Sequence, residues 1–341
     1  MLLLIRLLLL VGCWIFFGSG VASAAQNAPQ VMGWVPAYGM AESIIALESN
    51  PKIATGLTRI GLQFWNPSAD GRELVLAAIN KEGELVRPED VVRFRDWAKK
   101  NSIKVFLTVY NNSQVSGKWD WALAKRAFAE NREAFSAALL QEMTKYGLDG
   151  IDLDLEGEGD HDGDRAAYAL FVSELSQALR KRQKMLTIDS FHSPCDNAPN
   201  MRWWRDWLGQ VDAIHSMGYE DLYQGSTSAF TPKGRAQCEK GAHIFKYSWQ
   251  LRYAMMAGYQ PQQILMGAPT WLDSWGKGGL GVDPVSHVRE VQALGMGIAL
   301  WDLQLSGQRW RDTKTWEAIH TLRLQPGVSW KKLRRSFFAE K

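Results

Sequence analysis

The sequence predicts a single-domain α/β protein, a (β/α)8 TIM barrel, on three observations. Short apolar or β-branched runs alternate with helical patterns along the chain, an order that favours parallel strands covered by helices. The runs number eight, and eight strand–helix units fit a closed barrel, usually about 250 residues long. No Gly-rich phosphate loop follows the first run, which argues against a doubly wound dinucleotide-binding sheet.

Predicted strands cover residues 31–35, 59–65, 104–109, 150–156, 185–189, 211–217, 263–268 and 297–302. Two helices between them are clearest. Residues 119–146 are rich in Ala, Leu, Glu and Lys with apolar residues at helical spacing, and Gly147 stops the run. Residues 164–182 begin with Asp164 as N-cap and present Tyr168, Phe171, Leu175 and Leu179 at spacings of three and four. Further helices are predicted over 88–100, 242–257, 284–294 and 312–322.

Residues 1–24 read as an export signal: Arg6, an apolar core over 7–17, and Ala22-Ser23-Ala24 as the small-residue cleavage site. The apolar core is short for a membrane span, so a secreted or periplasmic protein cleaved after Ala24 is expected. Leu10-Val11-Gly12-Cys13 also resembles a lipoprotein processing site, but apolar residues 14–17 follow where a polar tether belongs. Residues 25–325 form the barrel domain. Residues 326–341 form a basic tail with Lys331, Lys332, Arg334, Arg335 and Lys341, read as a solvated, partly disordered segment. Contact with an anionic surface such as lipid headgroups or cell-wall polymer is the alternative; membrane contact is expected through the signal or, in that alternative, the tail. Export leaves Cys195 and Cys238 in an oxidising compartment, as a disulfide candidate or as two buried free thiols. The net charge of +3 is scattered, without the dense basic stripe of a nucleic-acid binder, and a monomer is expected.

The informative stretch is Asp149-Gly150-Ile151-Asp152-Leu153-Asp154-Leu155-Glu156. Side chains alternate across a strand, so Asp152, Asp154 and Glu156 share one face and Ile151, Leu153 and Leu155 the other. Buried carboxylates are costly unless paired, hydrogen-bonded or protonated. In a barrel the inward face rises to the C-terminal mouth, where such enzymes place their chemistry. Glu156 stands highest, and Asp154 one pleat below is close enough to resist a second negative charge, which favours a protonated general acid.

This run resembles, at every defined position, the D-G-x-D-x-D-x-E signature of glycoside hydrolase family 18, the chitinase-like family. The resemblance implies that Glu156 protonates the glycosidic oxygen, that Asp154 orients the substrate's N-acetyl group, and that Asp152 shares a proton or hydrogen bond with Asp154. The family is substrate-assisted, so the nucleophile is the sugar's own acetamido carbonyl. The implied partner is an N-acetylglucosamine-containing polysaccharide or oligosaccharide, chitin oligosaccharide or peptidoglycan.

Met217-Gly218-Tyr219-Glu220 is similar to the family's M-x-Y-D. Tyr219 is then the hydrogen-bond donor to the acetamido oxygen, Met217 lines the subsite, and Glu220 stands one methylene longer than the usual Asp. Trp301 matches the eighth-strand Trp that floors the subsite; Trp271 follows the seventh-strand Gly267-Ala268-Pro269; Trp34 and Phe64 fall near the first- and second-strand aromatics. The third strand departs from the family's S-x-G-G, ending Thr108-Val109-Tyr110-Asn111-Asn112. The stretch between Trp271 and Pro284 is too short for the extra α+β domain of some processive chitinases, so an open groove and endo attack are expected. Trp203, Trp204 and Trp207 fit either a subsite wall or a helix packed on the barrel. Asp160-His161-Asp162-Gly163-Asp164 fails the calcium-loop pattern at Arg165 and Phe171; no metal and no cofactor are expected. A non-catalytic lectin on the same barrel is the alternative, and transglycosylation would use the same residues.

Overall fold

The computed structural model describes residues 29–79, 83–113, 117–191, 201–217, 247–271, 284–325 and 335. Among these, nine strands form one sheet: β1 (Val31–Pro36), β2 (Arg59–Pro67), β3 (Leu74–Leu76), β4 (Lys104–Tyr110), β5 (Gly150–Asp154), β6 (Met185–Phe191), β7 (Ala213–Met217), β8 (Ile264–Pro269) and β9 (Gly297–Trp301). The order β1-β9-β8-β7-β6-β5-β4-β2 closes through β1 against β2, all parallel. The predicted eight-stranded barrel is therefore the fold. The short β3 is an addition, lying antiparallel on the far end of β2.

Each barrel strand turns alternate residues inward. Met32, Phe106, Ala213, Leu265 and Ala299, with Met185 beside them, form a small apolar layer across the barrel interior. The opposite rows belong to the larger core under the helices, as with Ile151, Leu153 and Leu155. This division follows from the period of two and explains how one strand carries acids and aliphatic residues without mixing them.

Ten α-helices cover the described strands: α1 (Met40–Ser49), α2 (Pro51–Gly56), α3 (Pro88–Lys100), α4 (Trp121–Lys125), α5 (Arg132–Tyr146), α6 (His161–Arg180), α7 (Met201–Trp207), α8 (Tyr247–Ala257), α9 (Pro284–Ala293) and α10 (Thr313–Leu324). The single helix expected over 119–146 is divided: a π turn over Arg126–Glu130 and a break at Asn131 separate α4 from α5. The β2–β3 loop imposes the break. Asn131 Nδ2 donates to Asp70 O at 2.9 Å, Arg126 Nε donates to Ala69 O at 2.9 Å, and a Cβ on Gly71 would meet Ala127 N at 2.6 Å.

The helix expected from Asp164 starts at His161, with Asp160 as its N-cap accepting from Gly163 N at 3.0 Å. Asp164 is instead buried, receiving Trp121 Nε1 at 2.9 Å and an ion pair from Lys125 at 2.7 Å. Tyr168, Phe171, Leu175 and Leu179 do form the buried face of α6. Trp203, Trp204 and Trp207 are buried on the barrel flank, with Trp204 Nε1 donating to Ser190 Oγ at 2.7 Å; they pack the shell. Among the described residues no helix is long and apolar enough to cross a membrane. The predicted signal, the cysteine pair and the tail apart from Arg335 lie outside the described residues, as do positions 242–246 of the predicted helix that continues through Tyr247.

The C-cap of α5 gives a direct test. Gly147 adopts φ 63° and ψ 42°, which lets Gly147 N reach Thr144 O and Leu148 N reach Met143 O, each at 3.0 Å. A side chain is disfavoured there by about 1 kcal/mol. Gly147→Ala is expected to lower stability by that amount, read as a reduced urea midpoint with unchanged spectroscopic signatures of the fold.

Candidate active site

Asp152 lies on the inward row of β5 and is fully buried. Its Oδ2 accepts from Trp34 Nε1 at 2.9 Å and Thr108 Oγ1 at 3.0 Å; its Oδ1 accepts from Thr187 Oγ1 at 2.5 Å and lies 3.2 Å from His215 Nδ1. Burial opposes the charged form, but the attraction and hydrogen bond of His215 and the bonds from Thr187 and Trp34 outweigh it. They hold the Asp152 carboxyl below the usual carboxylate range. Gly61 makes room for this arrangement, since a Cβ there would meet Thr108 Oγ1 at 2.6 Å and Trp34 Cδ1 at 2.7 Å.

Asp154, one pleat higher, is buried with fewer partners. Gln63 Nε2 donates to its Oδ2 at 2.7 Å, while Oδ1 accepts no hydrogen bond. Burial, the negative charge of Glu156 and a side-chain hydrogen bond with Glu156 push the Asp154 carboxyl well above its usual range, against the bond from Gln63. Two carboxyls in hydrogen-bond contact behave as one proton-sharing unit. The expected direct sharing between Asp152 and Asp154 is thus replaced: Asp152 takes its bonds from four other residues, and Asp154 turns to Glu156.

Glu156 follows the end of β5 and is partly exposed at the C-terminal mouth. Its main chain is clamped by Asn111: Glu156 N donates to Asn111 Oδ1 at 2.7 Å, and Asn111 Nδ2 donates to Glu156 O at 2.6 Å and to Asp120 O at 2.8 Å. The unusual ending of the third barrel strand therefore fixes the uppermost acid to the chain leading into α4.

Trp301 ends β9, partly exposed, with its ring 6.0 Å from that of Trp34 at 53°. Met217 ends β7 and Trp271 follows β8, both partly exposed. Two expectations are corrected. Trp34 is 1% exposed, leaving no face for a ligand; its indole N–H serves Asp152 from below. Phe64 is 0% exposed and packs on Phe94 of α3 at 5.9 Å, in the helical layer. Gln63 takes the inward position on β2, and a bulge between Gln63 and Trp65 then shifts the register. Tyr219 and Glu220 lie outside the described residues.

Several residues of the site were not singled out from sequence. Thr108 and Asn111 entered only as part of the departing end of the third strand, and Gln63, Thr187, Asp189 and His215 are ordinary strand residues until neighbouring strands are placed. Tyr38, 61% exposed with its hydroxyl donating to Asp302, lies just beyond β1; Trp119, 39% exposed with its ring 6.0 Å from that of Tyr110, lies beyond β4. Both are exposed aromatics at the strands' C-terminal side, where sugar faces can stack. No sequence signal marks these loop residues.

Asp152, Asp189 and His215 each offer one ligand atom, all within 4.8 Å of one another, as a divalent ion would require. His215 Nδ1 is 2.7 Å from Asp189 Oδ1 and faces Asp152 as well, distances set by a hydrogen on nitrogen. A bound ion would need ligands at about 2.0–2.2 Å and would compete with the donors already on Asp152. The arrangement fits a hydrogen-bonded cluster.

The family model for glycosyl hydrolases family 18 matches residues 40–319. The chain belongs to that family. As a family 18 glycoside hydrolase it is 27% identical over 150 residues to an uncharacterized glycosylase, YvbX, of Bacillus subtilis (strain 168), covering 42% of this chain and 43% of that relative. The match thus spans less than half of the curated relative's length. Solved structures share the fold at low identity. The spore cortex-lytic enzyme SleL of Bacillus cereus aligns with a TM-score of 0.62 at 15% identity, covering 85% of this chain and 73% of that one. A chitinase from Chromobacterium violaceum gives 0.63 at 16%, covering 87% and 100%. The chitinase ChiB of Flavobacterium johnsoniae gives 0.61 at 18%, covering 87% and 94%.

The raised Asp154 carboxyl has a consequence for stability. A raised folded-state pKa contributes stability that is complete below the ordinary carboxylate range and is lost as pH climbs toward the raised value, because the unfolded chain releases the proton first. Asn cannot ionise in either state and its Oδ1 can keep the Gln63 bond. Asp154→Asn is expected to melt above wild type at about pH 7, the gap closing by about pH 3.5. Calorimetry across that range checks it; a variant melting lower at neutral pH would contradict the buried proton.

Proposed function

We propose that this family 18 glycoside hydrolase is exported and cleaves β-1,4 links next to N-acetylglucosamine, in chitin oligosaccharide or peptidoglycan, with retention of configuration. The observation that carries the reading is the vertical arrangement of three acids. Asp152 is saturated with donors, Asp154 shares a hydrogen bond with Glu156, and Glu156 reaches the mouth.

The proton of the Asp154–Glu156 pair is the one donated. With it on Glu156, the glycosidic oxygen takes the proton as the C1–O bond breaks and the leaving sugar departs as an alcohol. The acetamido carbonyl oxygen of the retained sugar bonds to C1, forming an oxazolinium ion. Asp154, now anionic, faces the acetamido N–H and offsets the positive charge. Glu156, now a carboxylate, takes a proton from water as that water attacks C1 and reopens the ring. Tyr219 is assigned as donor to the acetamido oxygen and Trp301 as the floor of the subsite, with Met217, Trp271 and Glu220 around it.

The export pattern in residues 1–24 supports an extracytoplasmic glycan. The relatives' names include both a spore cortex-lytic enzyme and chitinases, so both substrates enter the test. Wild-type protein is expected to release products from at least one of chitin oligomers, peptidoglycan and N-glycans, with the β-anomer formed first. Glu156→Gln should lower turnover by about 10²–10⁴-fold while retaining binding. Near wild-type cleavage by Glu156→Gln would remove the proton-donor assignment, and binding with no product from wild type would make the protein a lectin.

A further inference from the structure

Beside the three acids, level with Asp154 in the register of β5 and β6, lies a fourth carboxyl that the proposed chemistry does not use. Asp189 on β6 and His215 on β7 are register partners, both turned into the barrel and buried. His215 Nδ1 lies 2.7 Å from Asp189 Oδ1 and 3.2 Å from Asp152 Oδ1. Asp152, whose oxygens already take Trp34, Thr108 and Thr187, is an acceptor, so Nδ1 is the nitrogen that carries hydrogen. Burial and the charges of Asp152, Asp154 and Glu156 push the Asp189 carboxyl well above its usual range. The ring is held edge-on by Trp34, with centroids 5.1 Å apart at 84°, and Trp34 itself donates to Asp152. On the other side of the ring, Nε2 is buried without a hydrogen-bond partner. Among the described residues, the hydrogen bonds of His215 therefore go to acids alone.

The count of donors on Asp152 sets the consequence. A carboxylate offers about four lone-pair directions, and Trp34, Thr108, Thr187 and His215 occupy four. Adding a proton to Asp152 would displace one of these buried donors, at the cost of leaving it unpaired.

We propose that Asp189 and His215 are positioning residues whose bridging contacts through His215 Nδ1 hold Asp152 ionised beneath the proton-sharing pair of Asp154 and Glu156. Asp189 prevents the imidazole from turning away, and the imidazole presents its Nδ1–H to Asp152. The other charged or titratable groups facing this cluster are Asp154 and Glu156 above, Arg59 of β2 below, and Tyr168 of α6 through the sheet. Arg59 is a weak substitute for the bridge. Its guanidinium lies over Phe106 at 5.7 Å, its Nε and Nη1 make no hydrogen bonds, and its attraction is divided between Asp212 and Asp152.

The proposal rests on Glu156 as proton donor, so its test has one readout tied to turnover and one independent of it. The first is the pH dependence of kcat and KM on a chito-oligosaccharide. The second is the ¹³C carboxyl titration of Asp152 in the free protein, for wild type, His215→Asn and Asp189→Asn. In His215→Asn the interior loses the Nδ1–H that faces Asp152. The acidic limb of activity and the Asp152 resonance should both move up by about one pH unit, with kcat on that limb falling about tenfold and KM within about twofold. In Asp189→Asn the amide oxygen still accepts from Nδ1 and no negative charge can form, so neither readout should move up. An Asp152 titration identical in wild type and His215→Asn, or an upward shift in both variants, overturns the proposal. If His215→Asn does not fold, an upward shift in Asp189→Asn alone is enough to overturn it, and its absence supports the bridge. Should wild type cleave none of the glycans, the hydrolytic reading fails while the carboxyl titration still decides the bridge.

Discussion

The buried charge of Asp152 is the constraint around which the interior is organised. A carboxylate removed from water is tolerated when its oxygens are filled by donors, and here the donors come from four different strands: Trp34 of β1, Thr108 of β4, Thr187 of β6 and His215 of β7. Thr108 and Thr187 donate from the adjacent strands, while Trp34 and His215 reach across the interior, so the residue that the chemistry needs also ties distant parts of the sheet together. Gly61 on β2 is the steric counterpart, leaving the space through which Trp34 and Thr108 approach.

The contrast between Asp152 and Asp154 shows how two identical side chains on one strand acquire different chemistry. Both are buried, yet one has four donors and the other has Gln63 and an acidic neighbour. The first is held ionised and the second is driven to keep a proton. Separation of paired carboxyls by environment is a general route to acid–base function, and here it arises from which strands lie beside β5.

The mouth is built by different means. Asn111 grips the main chain of Glu156 on both its N–H and its C=O, while the side chain serves the dyad with Asp154. The chain that follows is anchored by shell aromatics: Trp121 donates to Asp164 and packs against His161, Tyr168 and Trp203. Many of the chain's tryptophans act in this way, as volume and as N–H donors in the helical layer. Among the described residues the partly exposed rings, such as Trp301, Trp271 and Trp119, are the smaller group.

The barrel, its eight strands and the acids of β5 were legible because they depend on local periodicity: alternation of two in strands, three to four in helices, and Gly147 at a helix end. Segmentation near residue 126 and the true start of α6 were not, because a loop from another unit imposes the first and a competing cap at Asp160 decides the second. Phe64 was misplaced for a related reason: sequence gives an aromatic near a strand end, but a bulge sets its face. What the sequence alone determined is the carboxylate ladder, since parity within one strand is a property of the backbone. The partners of that ladder, Gln63, Asn111, Asp189 and His215, were decided by tertiary structure alone, because a hydrogen bond across a closed barrel depends on the register between strands far apart in the chain.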